Sequence, residues 1–124
     1  MTSNRIALGD AGERLAERRL TELGWCIIGR KWRSRQGEID LVALDGDELV
    51  FVEVKTRSGS PRGTAEEAVD ERKAARLIAL GEQYVAEHTE FADHFWRVDI
   101  VAFTIDRRGA LERVSHLRNA CVTG

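Results

Sequence analysis

Cysteine, proline and lysine are all scarce in this chain: two, one and three residues respectively out of 124. Cys26 and Cys121 lie far apart and form no CxxC pair, which excludes a zinc ribbon and a disulfide-stapled scaffold. No run of apolar residues exceeds four, too short for a transmembrane helix, and the polar start from Met1 to Asp10 does not read as a secretory signal. The expectation is a cytoplasmic protein without membrane contact. The net charge of −2 lacks the positive excess common among nucleic-acid-binding domains. No repeat or linker divides the sequence, so residues 1–124 should form one domain.

What is present has a globular balance, 43% hydrophobic and 32% charged. Leu15, Ala16, Leu20 and Leu23 recur at helical spacing over residues 10–23, with Gly24 placed to end the helix. Trp25 to Ile28 reads as a short strand, and the stretch from Arg30 to Gly37 as a loop or an extension of it. Two strand-like runs follow, Glu38–Leu44 and Glu48–Lys55, joined by the hairpin signal Asp45-Gly46-Asp47. Ser58 to Gly63 is rich in turn residues and reads as a mobile loop. Thr64 and Glu67 form a capping-box start for a long helix to about His88, with Val69, Leu77, Leu80 and Tyr84 on its apolar face. Phe95–Ile105 and Leu111–Leu117 are strand-like. The order helix, strand, hairpin, long helix, strand, strand predicts an α/β domain with a mixed sheet flanked by helices.

The hairpin carries the chemistry. If Gly46 and Asp47 are the central turn residues, Asp45 pairs with Glu48, and Asp40 then lies opposite Glu53 with Glu38 opposite Lys55. Moving the turn by one residue puts Asp40 opposite Phe51 and diagonal to Glu53, still on the same face. Strand alternation puts Asp40, Val42 and Leu44 on one face and Leu49, Phe51, Glu53 and Lys55 on one face of the partner strand. Opposed carboxylates cost a few tenths to ~1 kcal/mol across a ladder, and a divalent cation with a preference for oxygen reverses that sign. Lys55 cannot bind a metal but can hold a water or a phosphate oxygen, so the set suits metal-assisted phosphodiester hydrolysis. Ordinary edge-strand charges, with Lys55 neutralising Glu38 or Glu53, would also explain these residues. Glu-x-Lys alone is weak, since 13 glutamates and three lysines give about 0.3 chance matches. A second match, Glu71-Arg72-Lys73, falls on the long helix, where positions two apart diverge.

Gly37-Glu38-Ile39-Asp40-Leu41-Val42 followed by Phe51-Val52-Glu53-Val54-Lys55-Thr56-Arg57 resembles the YraN-like family of uncharacterised, predicted endonucleases. The likeness extends to Gly9-x-x-Gly12-Glu13, Asp70-x-x-Lys73, Arg97-Val98-Asp99-Ile100-Val101 and His116. It implies a restriction-endonuclease-like fold of the PD-(D/E)xK superfamily, similar to archaeal Holliday-junction resolvases. It also implies a Mg²⁺- or Mn²⁺-dependent DNA endonuclease, with branched DNA among its substrates and 5′-phosphate products. Asp40 and Glu53 would be the metal ligands with the backbone carbonyl of Val54, Lys55 the catalytic lysine, and Glu13 the helix glutamate completing the site. Ile39 stands where the superfamily commonly has proline. The alternative is a nucleic-acid-binding or partner-binding module of the same fold with little cleavage.

Several further residues carry two readings. Asp10 and Glu13 could form a capping box, or Glu13 could reach over the sheet from the margin of its helix. Arg30, Lys31, Trp32, Arg33 and Arg35 form a solvated basic surface or a nucleic-acid contact in which Trp32 stacks on a base or sugar. Arg57 is placed to engage a phosphate. Lys73 reads as a helix-face lysine or one turned into the site, Asp99 as a buried, hydrogen-bonded strand acid, and His116 as a structural imidazole. A homodimer would suit a four-way junction, though no residue demonstrates one.

Overall fold

A computed structural model describes residues 2–58 and 71–121 of the chain. Gly24 ends the first helix at φ 91°, a left-handed conformation that glycine adopts without steric cost. That helix, α1 (Thr2–Glu22), begins well before residue 10, so Asp10 lies in its interior and is not an N-cap. Among its residues 9–22 the buried positions are Gly12, Ala16 and Leu20, whereas Leu15 and, just beyond the helix, Leu23 are exposed. The face is rotated from the leucine stripe because Gly12 lies against Thr56, where an added Cβ would collide with the hydroxyl. A helix seated that closely must present its smallest residues.

The remaining elements are β1 (Cys26–Ser34), β2 (Gly37–Asp45), β3 (Glu48–Ser58), α2 (Glu71–Glu87), a 3-10 turn at Thr89–Phe91, β4 (Trp96–Ile105) and β5 (Leu111–Leu117). This is the expected order. The basic stretch is a paired strand as far as Ser34, not a loop, and Ser58 closes β3. Residues 59–63, the proposed cap of Thr64 and Glu67, and Val69 lie outside the described residues.

The five strands form one sheet in sequence order, antiparallel throughout except for the parallel β3–β4 pair. Parallel neighbours need a crossover, and α2 lies in the connection between them. Ala16 and Leu20 of α1 pack with Leu41, Ala43, Val50, Val52, Val101 and Phe103. On the opposite face Leu77, Leu80 and Tyr84 of α2 pack with Ile39, Val42, Leu49, Phe51 and Val98. Sheet alternation assigns each strand residue to one helix or the other, giving a three-layer α/β domain of the restriction-endonuclease-like kind.

The hairpin register is the predicted one, Asp45 opposite Glu48, with Gly46 at φ 61°. Arg97 of β4 pins this turn: its guanidinium bonds Glu48, Asp45 (3.2 Å) and Asp99 (2.9 Å). It also lies 5.2 Å over the Trp25 ring. A half-buried fork thus ties the far end of the hairpin to its parallel neighbour.

Gly81 of α2 is the tightest helix–sheet approach on the second face, since a Cβ there would stand 2.6 Å from Trp96 and 3.0 Å from Phe51. Gly81→Ala should lose ~1–3 kcal/mol in urea unfolding through overpacking, although alanine is the better helix former by about 1 kcal/mol. A neutral or stabilised variant would show that the helix does not approach the sheet this closely.

Candidate active site

Strand pairing fails at one position on β2, and the acidic residues gather there. Between β1 and β2 the register runs from Arg30 opposite Leu41 to Trp32 opposite Ile39, passing over Lys31 and Asp40. Between β2 and β3 it stops at Leu41 opposite Val52, so Asp40 and Glu53 face each other beyond the last paired residues. Lys31 has φ 50°, unusual for a side chain with a Cβ. Ile39 and Val42 both join the α2-side cluster while Leu41 joins the α1 side, so the alternation of faces breaks at Asp40. In place of a ladder bond, Asp40 Oδ2 accepts the backbone N–H of Val54 at 2.8 Å.

Carboxylate oxygens of Glu13, Glu38 and Asp40 lie within 4.8 Å of one another, a spacing that one cation could bridge. Glu13 reaches the sheet from α1, as one of its two readings anticipated. Burial, with Glu53, Glu13 and Glu38 close by, pushes Asp40 up to about 7 despite the Val54 hydrogen bond. Burial also raises Glu13, against the pull of Lys31 and with Asp10 and Glu38 adding to the rise. At Asp40, burial and the neighbouring carboxylates thus outweigh the one backbone donor.

Glu53 and Lys55 stand on the α2 side of the hairpin, on the same strand face as Phe51. Glu53 is only 12% exposed and its Oε2 lies 2.9 Å from Lys73 Nζ on α2, itself 15% exposed. The angle misses hydrogen-bond geometry, so Glu53 Oε2 is buried without an aligned donor. Glu53 is thus held beside the three-carboxylate cluster and outside it. Burial and the neighbouring Lys73 amine lower Lys55, while Glu53 and Asp40 oppose the shift.

The basic strand is largely occupied by acids of its own chain. Arg30 pairs with Glu17, Lys31 with Asp10 at 2.8 Å and more loosely with Glu13 at 3.8 Å, and Arg33 with Glu38 at 2.8 Å. Trp32 packs edge-on against Tyr84, 5.2 Å between ring centroids, among the residues under α2. Partly buried, it packs at the margin of that cluster, turned to the α2 face after the left-handed Lys31. Arg35 is exposed and Arg57 is partly exposed on β3.

Asp99, fully buried, receives Arg97 (2.9 Å), the Asn119 backbone N–H (2.9 Å) and a bond shared with His116 Nε2 (2.9 Å). Burial alone would raise its pKa, but these partners win and hold it below the ordinary carboxylate range. His116 packs against Trp25, so this group braces β4 and β5 on the α1 face, as the structural readings of both residues expected.

One residue of the site was not singled out by sequence. Glu38 was given only a neutralising role toward Lys55, although its i, i+2 spacing from Asp40 on one strand was a usable signal. Lys73 carried two readings, a helix-face lysine or one turned into the site, and its contact with Glu53 is the second: it falls four residues before Leu77, on the stripe that Leu77, Leu80 and Tyr84 turn to the sheet.

A model of the uncharacterised protein family UPF0102 matches residues 12–103, which include Glu13, Glu38, Asp40, Glu53, Lys55 and Lys73. The chain belongs to the UPF0102 family. This is the YraN-like family that the hairpin motifs resemble. A UPF0102 protein of Roseiflexus castenholzii is 42% identical over 117 residues, covering 94% of both chains. One of Kineococcus radiotolerans is 50% identical over 103 residues, 83% of this chain and 84% of the relative. One of Pelotomaculum thermopropionicum is 42% identical over 120 residues, 97% and 99% of the two chains. Among the described residues no helix is long and apolar enough to cross a membrane.

Asp40 holds its proton more tightly in the fold, at about 7, than an unperturbed aspartate at 3.8. Its contribution to stability is therefore present in full below about pH 4 and is lost as pH rises to about 7. Asp40→Asn keeps an oxygen for the Val54 N–H and should raise stability in EDTA at pH 8 by about 1 kcal/mol, the gain vanishing at low pH. Urea melts across pH check this; an Asp40→Asn variant less stable than the parent at pH 8 would place Asp40 among ordinary paired strand acids.

Proposed function

We propose that this UPF0102 protein is a metal-dependent DNA endonuclease that uses Mg²⁺ or Mn²⁺. The observation that carries the reading is the convergence of Glu13, Glu38 and Asp40 at the break in the sheet, beside Glu53 and Lys55. The donor set fits a hard divalent ion, since it is all oxygen and includes a buried Glu53 oxygen without an aligned hydrogen bond. Asp40, Glu53 and the Val54 backbone carbonyl would hold the ion, with Glu13 joining and Glu38 alongside. When bound, the ion would polarise a phosphoryl oxygen and balance charge developing on the phosphate.

The chain's own residues supply the remainder. Lys55, with its ammonium form disfavoured by burial, orients a water by hydrogen bonding and accepts its proton as the oxygen attacks phosphorus. The new P–O bond forms as the opposite P–O3′ bond breaks, leaving a 5′-phosphate and a 3′-hydroxyl that takes up a proton. Arg35 and Arg57 hold flanking phosphates and set the backbone in register. Arg30, Lys31 and Arg33 serve DNA only by giving up their acid partners. Branched DNA and a two-site homodimer are part of this proposal.

A nuclease-fold binding module with little cleavage is the second reading. It is favoured by the Lys73–Glu53 pair, which keeps Glu53 apart from the other carboxylates. Incubation with linear, flapped and four-way DNA in Mg²⁺, Mn²⁺ or EDTA separates the two readings. Cleavage that EDTA abolishes supports the enzyme, and binding without cleavage in either metal supports the module.

Lys55→Ala should remove cleavage and leave DNA affinity within a few-fold, because the lysine acts on charge that develops in the transition state. Unchanged turnover would take Lys55 out of the mechanism. Replacing Arg35 and Arg57 together with alanine should flatten the slope of log K against log salt by about 1.8 on duplex DNA, two phosphate contacts being lost. An unaltered slope would return both arginines to the solvated surface.

A further inference from the structure

Lys73 occupies a position where the pattern of α2 calls for a hydrophobe. It precedes Leu77, Leu80 and Tyr84 by four, seven and eleven residues, on the stripe that faces the sheet, and it is 15% exposed. The carboxylate it meets, Glu53, is as well buried, and the two approach to 2.9 Å. A buried ion pair is a poor source of stability, because desolvating both charges consumes most of the attraction between them, and apolar replacements are often as stable. The angle of approach is that of a charge contact without an aligned hydrogen bond, which is how a point charge is held. Meanwhile Glu53 lies beside Asp40, and the three clustered carboxylates do not include it.

We infer that Lys73 stands in for the divalent ion at Glu53, so that a metal ion entering the site must displace the Lys73 ammonium before Glu53 can join Asp40. Lys73 is thus a positioning residue: it acts on the metal through Glu53. In the metal-free protein its ammonium faces the buried Glu53 carboxylate from α2 and holds it toward the hairpin, with Lys55 close by. In the loaded protein that charge is redundant, and the displaced ammonium remains beside Lys55 on the strand face that meets the scissile phosphate. Every binding event therefore carries the cost of breaking the pair, which weakens metal affinity while preserving the fold when metal is absent. The inference rests on the metal-site reading above, and the test separates the two.

The experiment titrates Mn²⁺ alone into the full chain by calorimetry, with thermal melts in EDTA and in millimolar Mn²⁺. Lys73→Met should melt below the wild type in EDTA yet bind Mn²⁺ about three- to ten-fold more tightly, the size of one partly screened unit charge. Lys73→Arg keeps the cation and should stay within about two-fold of the wild type. In a Glu53→Gln background the Lys73 change should do nothing, whether that background binds Mn²⁺ weakly or not at all. If Lys73→Met does not fold, Lys73→Gln, which keeps a donor toward Glu53, takes its place with the same expected direction. A wild type that binds Mn²⁺ and a Lys73 variant that binds no more tightly would overturn the inference and leave the metal site standing. Tighter binding that persists with Glu53→Gln would also overturn it, as an effect of net charge alone. A wild type blind to Mn²⁺ would bring down the metal site itself, and the role of Lys73 with it.

Discussion

A carboxylate inside a β-sheet must be hydrated, paired or given a cation, and at Asp40 the chain meets that demand only in part. Ladder pairing is abandoned on both sides of it, toward Lys31 in β1 and toward Glu53 in β3. Among the described residues, Asp40 accepts one backbone N–H, from Val54, in exchange. The change of face at Lys31 turns Trp32 toward the core under α2, while Arg30 and Lys31 meet acids of α1. One polar residue that the sheet cannot absorb thus organises the strand beside it as well as the acidic pocket.

Asp99 shows what a buried acid looks like when its surroundings are complete. It has two side-chain partners and a backbone N–H, and they outweigh burial, so its pKa falls. Asp40, on the same sheet, has one backbone donor and three glutamates, and its pKa rises. Burial acts in the same direction on both residues; the partners decide the sign. The first arrangement needs nothing added and ties β4 to β5. The second is unfinished as a purely structural feature, which is why the functional reading attaches to it and not to the Asp99 and His116 pair.

Much of the fold was legible because it depends on local chemistry. Gly24 and Gly46 mark where the chain must turn, the Asp45-Gly46-Asp47 signal sets a register that brings Asp40 opposite Glu53, and the hairpin followed by a crossover implies the parallel β3–β4 pair. Strict alternation was the assumption that failed. It holds along β3, where Phe51, Glu53 and Lys55 share a face, and it breaks on β2, where Ile39 and Leu41 turn opposite ways. Nothing in the residue types announces such a break, since Lys31 carries no sequence mark of a left-handed conformation. The rotated face of α1 was hidden for a similar reason: leucine spacing gives a helix its apolar stripe, but the approach of Gly12 to Thr56 decides which residues seat against the sheet.

By itself the sequence determined the α/β class, the hairpin and the residue types of the candidate site, because strand period, turn glycines and paired carboxylates are properties of neighbours in the chain. Only the tertiary structure decided which charges meet. Glu13 comes from the first helix, Lys73 from the second, and Glu38 shares the pocket with Asp40 through a local failure of sheet pairing. Lys31 and Arg33 spend their charge on acids that lie 21 and five residues away in the chain. Electrostatic interaction depends on separation in space and on burial, and neither can be read along a sequence until the layers have closed on one another.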